Sequence, residues 1–185
     1  MLQITERTLV LVKPDGVSRG LIGEITTRLE RIGLKLIGLK MVKIDEAHAL
    51  KHYGANDEWY ESIGSKMKDF FSKIGFDPGE NLLEKSNREL GEMVQRWNVD
   101  YLTAGRIVAM IWEGTDAVKL VRKMVGPTYP SDATPGTIRG DYSHDSPLNS
   151  NTEKRSVQNL VHASGRPDEA TDEIELWFKK EEILS

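Results

Sequence analysis

Thr8-Leu-Val-Leu-Val12, followed at once by Lys13-Pro14-Asp15-Gly16, is the stretch on which the fold turns. Five β-branched or apolar residues closed off by a Pro/Gly turn predict a short buried strand. Downstream, Ile22, Ile25, Leu29 and Ile32 recur at spacings of 3, 4 and 3 and predict an amphipathic helix that Gly33 ends. Leu34 to Ile44 predicts a second strand, with Gly38 as its weak point or bulge. Residues 46–103 are helical in character: Ser86-Asn-Arg-Glu89 is a capping box, and Leu90, Val94, Trp97 and Tyr101 follow on one stripe. Gly75 to Asn81, with Asp77-Pro78-Gly79, is a loop between two helices. Arg106 to Trp112 predicts the central strand, and Asp116 a cap for a helix with Val118, Val121 and Val125 inward. Val157 to His162 predicts a fourth strand, and Asp168 a cap for a last helix burying Ala170, Ile174 and Trp177. The polar run Asp141 to Glu153 predicts a flexible surface loop. The order β-α-β-(helices)-β-α-β-α is that of an α/β (α+β) fold: a ferredoxin-like split βαβ sandwich, its four-stranded antiparallel sheet covered by helices on one face, with an inserted helical segment.

Composition narrows the function. The chain has 185 residues, 38% hydrophobic and 29% charged, enough for one domain spanning residues 1–185. Its 25 basic and 29 acidic residues leave a net charge of −4, without the basic footprint of a nucleic-acid binder. The absence of cysteine excludes disulfide scaffolds, thiolate metal sites and thiol nucleophiles, and fits a reducing cytoplasm. The longest wholly apolar run, Ile107 to Trp112, is far too short to span a membrane, and Met1 to Arg7 shows no secretory leader. The expected setting is cytoplasmic.

Four pieces carry chemistry. Lys13 leaves a rigid strand end where it can reach a ligand oxygen; alone, it also reads as a snorkelling edge lysine. Gly126 to Gly140 holds Thr128 and Arg139 on a Pro-stiffened loop, with Arg122 one helical turn before it; guanidinium forks and a hydroxyl suit phosphate oxygens. Asn159-Leu-Val-His162-Ala-Ser164 places Asn159 three residues before a strand histidine that can project into a cleft, or simply lie satisfied in the core. Glu173, eleven residues after His162, is a carboxylate able to orient an imidazole. Neither a P-loop nor a Gly-x-Gly-x-x-Gly turn occurs, so phosphate binding here has to use side chains. No histidine has a convincing zinc spacing, and Ser164 lacks the Gly-x-Ser-x-Gly elbow of a hydrolase.

In this order the four pieces resemble the nucleoside diphosphate kinase family. Glu6 to Glu24 looks like its N-terminal signature, Gly126 to Asp141 like its signature loop, and Asn159 to Ser164 like its active-site strand; the spacing from His162 to Glu173-Ile-Glu-Leu-Trp-Phe178 also matches. The resemblance implies ping-pong transfer of the γ-phosphate of a nucleoside triphosphate such as ATP to a nucleoside diphosphate, through a phosphohistidine and with Mg²⁺ on the nucleotide. It implies His162 as nucleophile, Lys13, Arg122, Thr128 and Arg139 on the phosphates, and Asn159 with Lys13 on the ribose. Glu173 and Ser164 would orient the histidine, and Tyr53 would lie near it. It further implies a homo-oligomer, a tetramer or hexamer built from dimers, with no nucleic-acid or membrane partner. Two departures stand out. Gly165 replaces the Asp that usually follows the serine, and the chain is longer at about 57–103, a helical insertion, and about 142–156, a loop insertion beside the cleft. The base-stacking aromatic falls in the first, where Trp59 or Tyr60 is expected ahead of Phe70 and Phe71. The alternative reading is a non-catalytic nucleotide-binding regulatory module.

Overall fold

The computed structural model describes residues 5–79 and 81–184. Residues 1–4 of the segment screened for a leader, and residue 80 of the Gly75–Asn81 loop, lie outside it. Strands β1 (Thr5–Val12), β2 (Lys35–Val42), β3 (Ile107–Thr115) and β4 (Val161–Ala163) form one antiparallel sheet in the order β2-β3-β1-β4. That order is the ferredoxin-like one. β1 lies inside, pairing Leu9 with Ile111 and Leu11 with His162, which is why its residues 8–12 are all buried. The register of β2 slips between Leu36 and Gly38, as the glycine suggested.

Helices cover both faces, not the single face expected. Val10 and Val12 point to α2 (Ile22–Arg31) and α6 (Ala117–Val125), whose Ile25, Leu29, Val121 and Val125 complete that core. Leu9 and Leu11 point the other way, to α3 (Glu46–His52), α5 (Asn87–Thr103) and α9 (Pro167–Trp177). A short turn of helix, α1 (Pro14–Ser18), follows β1, and α7 (Ile138–Tyr142) ends the signature loop. A continuous apolar run reports burial on both sides, and the single-face assumption ignored that signal.

Within residues 46–103, α4 (Asp57–Ile74) packs along α5 with its own small core of Met67, Phe71, Leu82 and Leu90. The two helices touch at Gly64 and Gly91: a Cβ at the first would collide with Asn87 backbone and at the second with Tyr60 backbone. The Ser86 capping box forms as read.

Other local expectations change. Asp116 takes a left-handed conformation (φ 50°) and its side chain does not cap α6; the Val118 N–H donates instead to Glu6 Oε2 at 3.4 Å. α9 starts at Pro167, so Asp168 sits inside its first turn and pairs with Arg166. The segment expected as a flexible loop contains α8 (Pro147–Thr152), capped by Ser146. It is anchored by buried Asp145, which accepts from Arg155, Asn149 and the Gln158 N–H. Alternation rules see polar residues there and miss that one carboxylate organises them. Among the described residues, no helix is long and apolar enough to cross a membrane.

Candidate functional site

The site is built where β1 ends beside β4. The fourth strand is shorter than read, because Leu160 sits at φ 68° in a three-residue turn closed by Val161 N–H to Asn159 O at 2.7 Å. Asn159 is therefore off the strand, which turns its amide toward Lys13. A leucine at positive φ costs about 1–3 kcal/mol and persists only where its surroundings hold it. Here Lys13 N–H donates to Leu160 O at 2.8 Å, and the Leu160 N–H donates to Asp15 Oδ2 at 3.1 Å.

Arg139, on α7, locks the signature loop to this turn. Its Nε donates to Asn159 O (3.1 Å), Nη1 to Gly126 O (2.9 Å) and Pro127 O (2.8 Å), and Nη2 to Val161 O (2.6 Å). Four of its five N–H donors are thus spent on carbonyls. Asn159 closes the strap, its Nδ2 donating to Thr128 O at 2.9 Å and its Oδ1 accepting from Lys13 Nζ at 2.9 Å. Arg122, in the last turn of α6, is exposed and, among the described residues, donates to Ala163 O at 3.5 Å. Thr128 is exposed too.

His162 lies on β4 with its ring half-buried among these cations. Glu173 Oε1 stands 2.7 Å from Nε2, yet Nε2 has no hydrogen-bond partner among the described residues. The carboxylate lies off the ring's N–H axis, so the contact is one of charge and position. Ser164 Oγ donates to Glu173 Oε2 at 2.6 Å and accepts from the Leu9 N–H at 3.1 Å, tying the carboxylate to β1. Behind the pair, the His52 ring meets His162 edge-on at 4.5 Å, and its Nδ1 accepts from Trp177 Nε1 at 3.2 Å.

Burial and like charge set the protonation. Burial, then Lys13, Arg139 and Arg122, hold the His162 imidazolium well below the ordinary histidine value, so the ring is neutral. Burial and neighbouring Arg139 bring the Lys13 ammonium down to about 7. Burial and Arg122 bring Arg139 to about 10, while burial raises Glu173 and Tyr53. The result is a neutral nucleophile facing Lys13, Arg139 and Arg122, with the Asp15 carboxylate favouring the Lys13 ammonium.

Lys13, Tyr53, Asn159, Arg139, His162, Ser164 and Glu173 come together, and Arg122 and Thr128 rim the same place. Tyr60 does not join them: its hydroxyl is bound to Gln95 Oε1 at 2.8 Å and Arg88 covers its ring. Trp59 lines a cavity of about 440 Å³ beside Thr128, with Phe70, Trp97, Tyr129 and Val157. Phe71 is wholly buried between α4 and α5. At Gly165, the N–H is taken by Glu169 Oε2 at 3.1 Å, so α9 holds this turn without an aspartate. A larger groove of about 970 Å³, between Arg7 and Phe178, shares none of these residues and is not lined by a histidine. Sequence reasoning missed Asp15, Tyr101 and His52. In the sequence Asp15 is turn punctuation, Tyr101 part of an apolar stripe, and His52 carries no motif of its own.

The chain matches the family model described as nucleoside diphosphate kinase over residues 6–74 and 83–183. A nucleoside diphosphate kinase of Pyrobaculum aerophilum is 48% identical over 97% of this chain and 98% of that protein. The crystal structure of an NDP kinase from the same organism superposes with a TM-score of 0.93 at 45% identity, covering 98% of this chain and 100% of that one. A transition-state mimic of the Borrelia burgdorferi nucleoside-diphosphate kinase, with bound vanadate and ADP, gives a TM-score of 0.78 at 36% identity, covering 98% and 92%.

Proposed function

The chain belongs to the nucleoside diphosphate kinase family, and from that premise we propose that it moves a γ-phosphoryl group by a ping-pong route through His162. The observation that carries this reading is a neutral imidazole, backed by Glu173, facing Lys13, Arg122 and Arg139. With Nε2 turned to the carboxylate, Nδ1 is the nitrogen left to attack. Its lone pair forms the N–P bond as the bond from the γ-phosphorus to the bridging oxygen breaks, and the nucleoside diphosphate leaves with those electrons. A second diphosphate reverses the step. Phosphoryl transfer asks for position and charge stabilisation more than covalent machinery. Arg122 and Lys13 supply donors and positive charge, Thr128 a hydroxyl, and Glu173 a countercharge for the ring once it is substituted. Arg139 chiefly shapes the loop and adds its charge. Asn159 and Lys13 take the ribose hydroxyl, and Trp59 stacks on the base in the apolar cavity, a contact every base can make. The regulatory-module alternative finds no support in a site that retains its nucleophile and its cations.

Mg²⁺ belongs to the substrate in this reading. The described histidine and carboxylate groups that lie close enough to share an ion are His52, His162 and Glu173. Two nitrogens and one carboxylate do not suit magnesium, which takes oxygens. The metal is therefore carried in on the phosphates. The edge strand β2 exposes Leu39 and Met41, apolar residues on an edge that support a homo-oligomer built from dimers. Light scattering tests it, and a monomer would refute it.

Intact mass spectrometry tests the reaction. Incubation with Mg²⁺ and ATP should add one phosphoryl group that maps to His162 and leaves as GTP forms on addition of GDP. His162→Ala should bind nucleotide but form no adduct. Wild-type turnover by that variant would overturn the mechanism.

A further inference from the structure

We infer that Tyr101 and Asp15 act as one positioning unit for phosphoryl transfer, holding the Leu160 turn from one side and Lys13 from the other; the inference rests on the phosphohistidine reading above. Tyr101 comes from α5, 86 positions along the chain from Asp15, and its hydroxyl donates to Asp15 Oδ1 at 2.6 Å. The second oxygen of the same carboxylate accepts the Leu160 N–H at 3.1 Å. Asp15 is thus spent on both sides, and each bond limits the carboxylate's rotation for the other. What it holds is the left-handed residue flanked by Asn159, which grips Lys13, and by the strand that carries His162. An unrestrained leucine relaxes out of that conformation. Its relaxation would shift Asn159 and the His162 backbone together.

The ring of Tyr101 has a second contact. Lys13 Nζ stands 5.1 Å from its centroid, within range of a cation over an aromatic face. Besides Tyr101, Lys13 faces Arg139 of α7, Asp15 of α1, Tyr53 after α3, Asn159, and His162 of β4. Arg139 favours a neutral amine there, while Asp15 and the aromatic face favour the ammonium. Hydroxyl and ring therefore do separable work, the first on the turn and the second on the lysine's charge.

Single-turnover formation of phosphohistidine from Mg²⁺-ATP, followed across pH, separates them. Tyr101→Phe keeps the ring and loses the hydroxyl. Its rate should fall roughly 10- to 100-fold, the scale of a misplaced reacting group, with the alkaline limb unmoved. Tyr101→Leu should show the same fall, and its alkaline limb should move to lower pH. Asp15→Ala, which also frees the Leu160 N–H, should lose at least as much as Tyr101→Phe, and the double variant no more than Asp15→Ala alone, because the hydroxyl acts through that carboxylate. Thr103→Ala, which loses a hydroxyl bond to Val99 O on the same helix, should keep the wild-type rate. An unchanged rate in Tyr101→Phe would overturn the inference, as would multiplying losses or a Tyr101→Leu profile identical to that of Phe. If Asp15→Ala does not fold, the two Tyr101 variants carry the test alone. A wild-type protein that forms no phosphohistidine would sink the parent mechanism instead, so the two failures are distinguishable.

Discussion

Lys13 makes nucleotide binding a proton-coupled event. Its ammonium, buried beside Arg139, titrates at about 7 in the free protein, against 10.5 for an ordinary lysine. A phosphate oxygen placed near it pushes the other way. A unit charge at about 4 Å is worth about 4 kcal/mol at a surface-like dielectric, or about 3 pKa units, so bound Lys13 is charged up to about pH 10. Between these limits binding takes up a proton: about half a proton per nucleotide at pH 7 and about 0.9 at pH 8. Affinity should then fall about fivefold from pH 7 to 8 and about tenfold per unit from there toward pH 10. Stability of the free protein runs the opposite way. The folded pKa is depressed, so the penalty for burying the ammonium is fully present below about 7 and fades as pH rises toward 10.5. Calorimetric titration of ADP at pH 8, in two buffers of different ionisation enthalpy, reads the uptake directly. At that pH the nucleotide phosphates are fully ionised and His162 is neutral, which isolates the lysine. Lys13→Gln should abolish the uptake. Binding at pH 8 with no proton taken up, or with uptake that survives in Lys13→Gln, would refute the reasoning.

The two signature arginines should fail differently. Arg139→Ala strips donors from four carbonyls and should cost about 3 kcal/mol or more in urea unfolding. Arg122→Ala should leave stability within about 0.5 kcal/mol while weakening nucleotide binding by about 1–3 kcal/mol; the reverse pattern would exchange their roles. Asp145 is held down at about 2, against burial, by hydrogen bonds from Arg155, Asn149 and Gln158. It should contribute on the order of 1–2 kcal/mol, discounted for the solvent around Arg155. That contribution is present above about pH 4 and lost as pH falls toward 2, and Asp145→Asn should flatten this acid limb in unfolding curves at pH 3 and 7. Trp59→Ala should raise the KM of all nucleotides about tenfold, the scale of one lost stacking contact, with kcat unchanged; a selective loss for one base would mean the cavity reads the base edge.

The elements legible in the sequence were those whose signal is local. Thr8 to Val12 announces a buried strand by composition, and Ser86 to Glu89 announces a helix start by reciprocal bonds within four residues. His162 and Glu173 were legible by spacing, since a short turn and one helix connect them. What escaped was non-local. The carbonyls that claim Arg139 come from the loop before α7 and the turn before β4, so no motif separates a phosphate-binding arginine from a structural one. The helix α8 depends on Asp145 meeting an arginine ten residues on. Asp15 and Tyr101 look ordinary because each is defined by a partner far along the chain.

The electrostatics of the site follow from that division of labour. Burial does most to strip protons from Lys13 and His162, and the buried charge of Arg139, held in place by the loop it shapes, adds to it. The histidine is kept neutral and nucleophilic first by its burial and then by Lys13, Arg139 and Arg122, of which Arg139 also shapes the loop. Those cations repel one another until a polyanion arrives, so the free site is electrostatically unsatisfied and the nucleotide relieves it. The one carboxylate close to the nucleophile, Glu173, stands behind the ring and not among the cations, where it can steady a substituted imidazole without neutralising the charge that draws the phosphates in. On the cationic side Asp15 faces Lys13 and favours its ammonium, but both of its oxygens are already spent, on the Tyr101 hydroxyl and the Leu160 N–H.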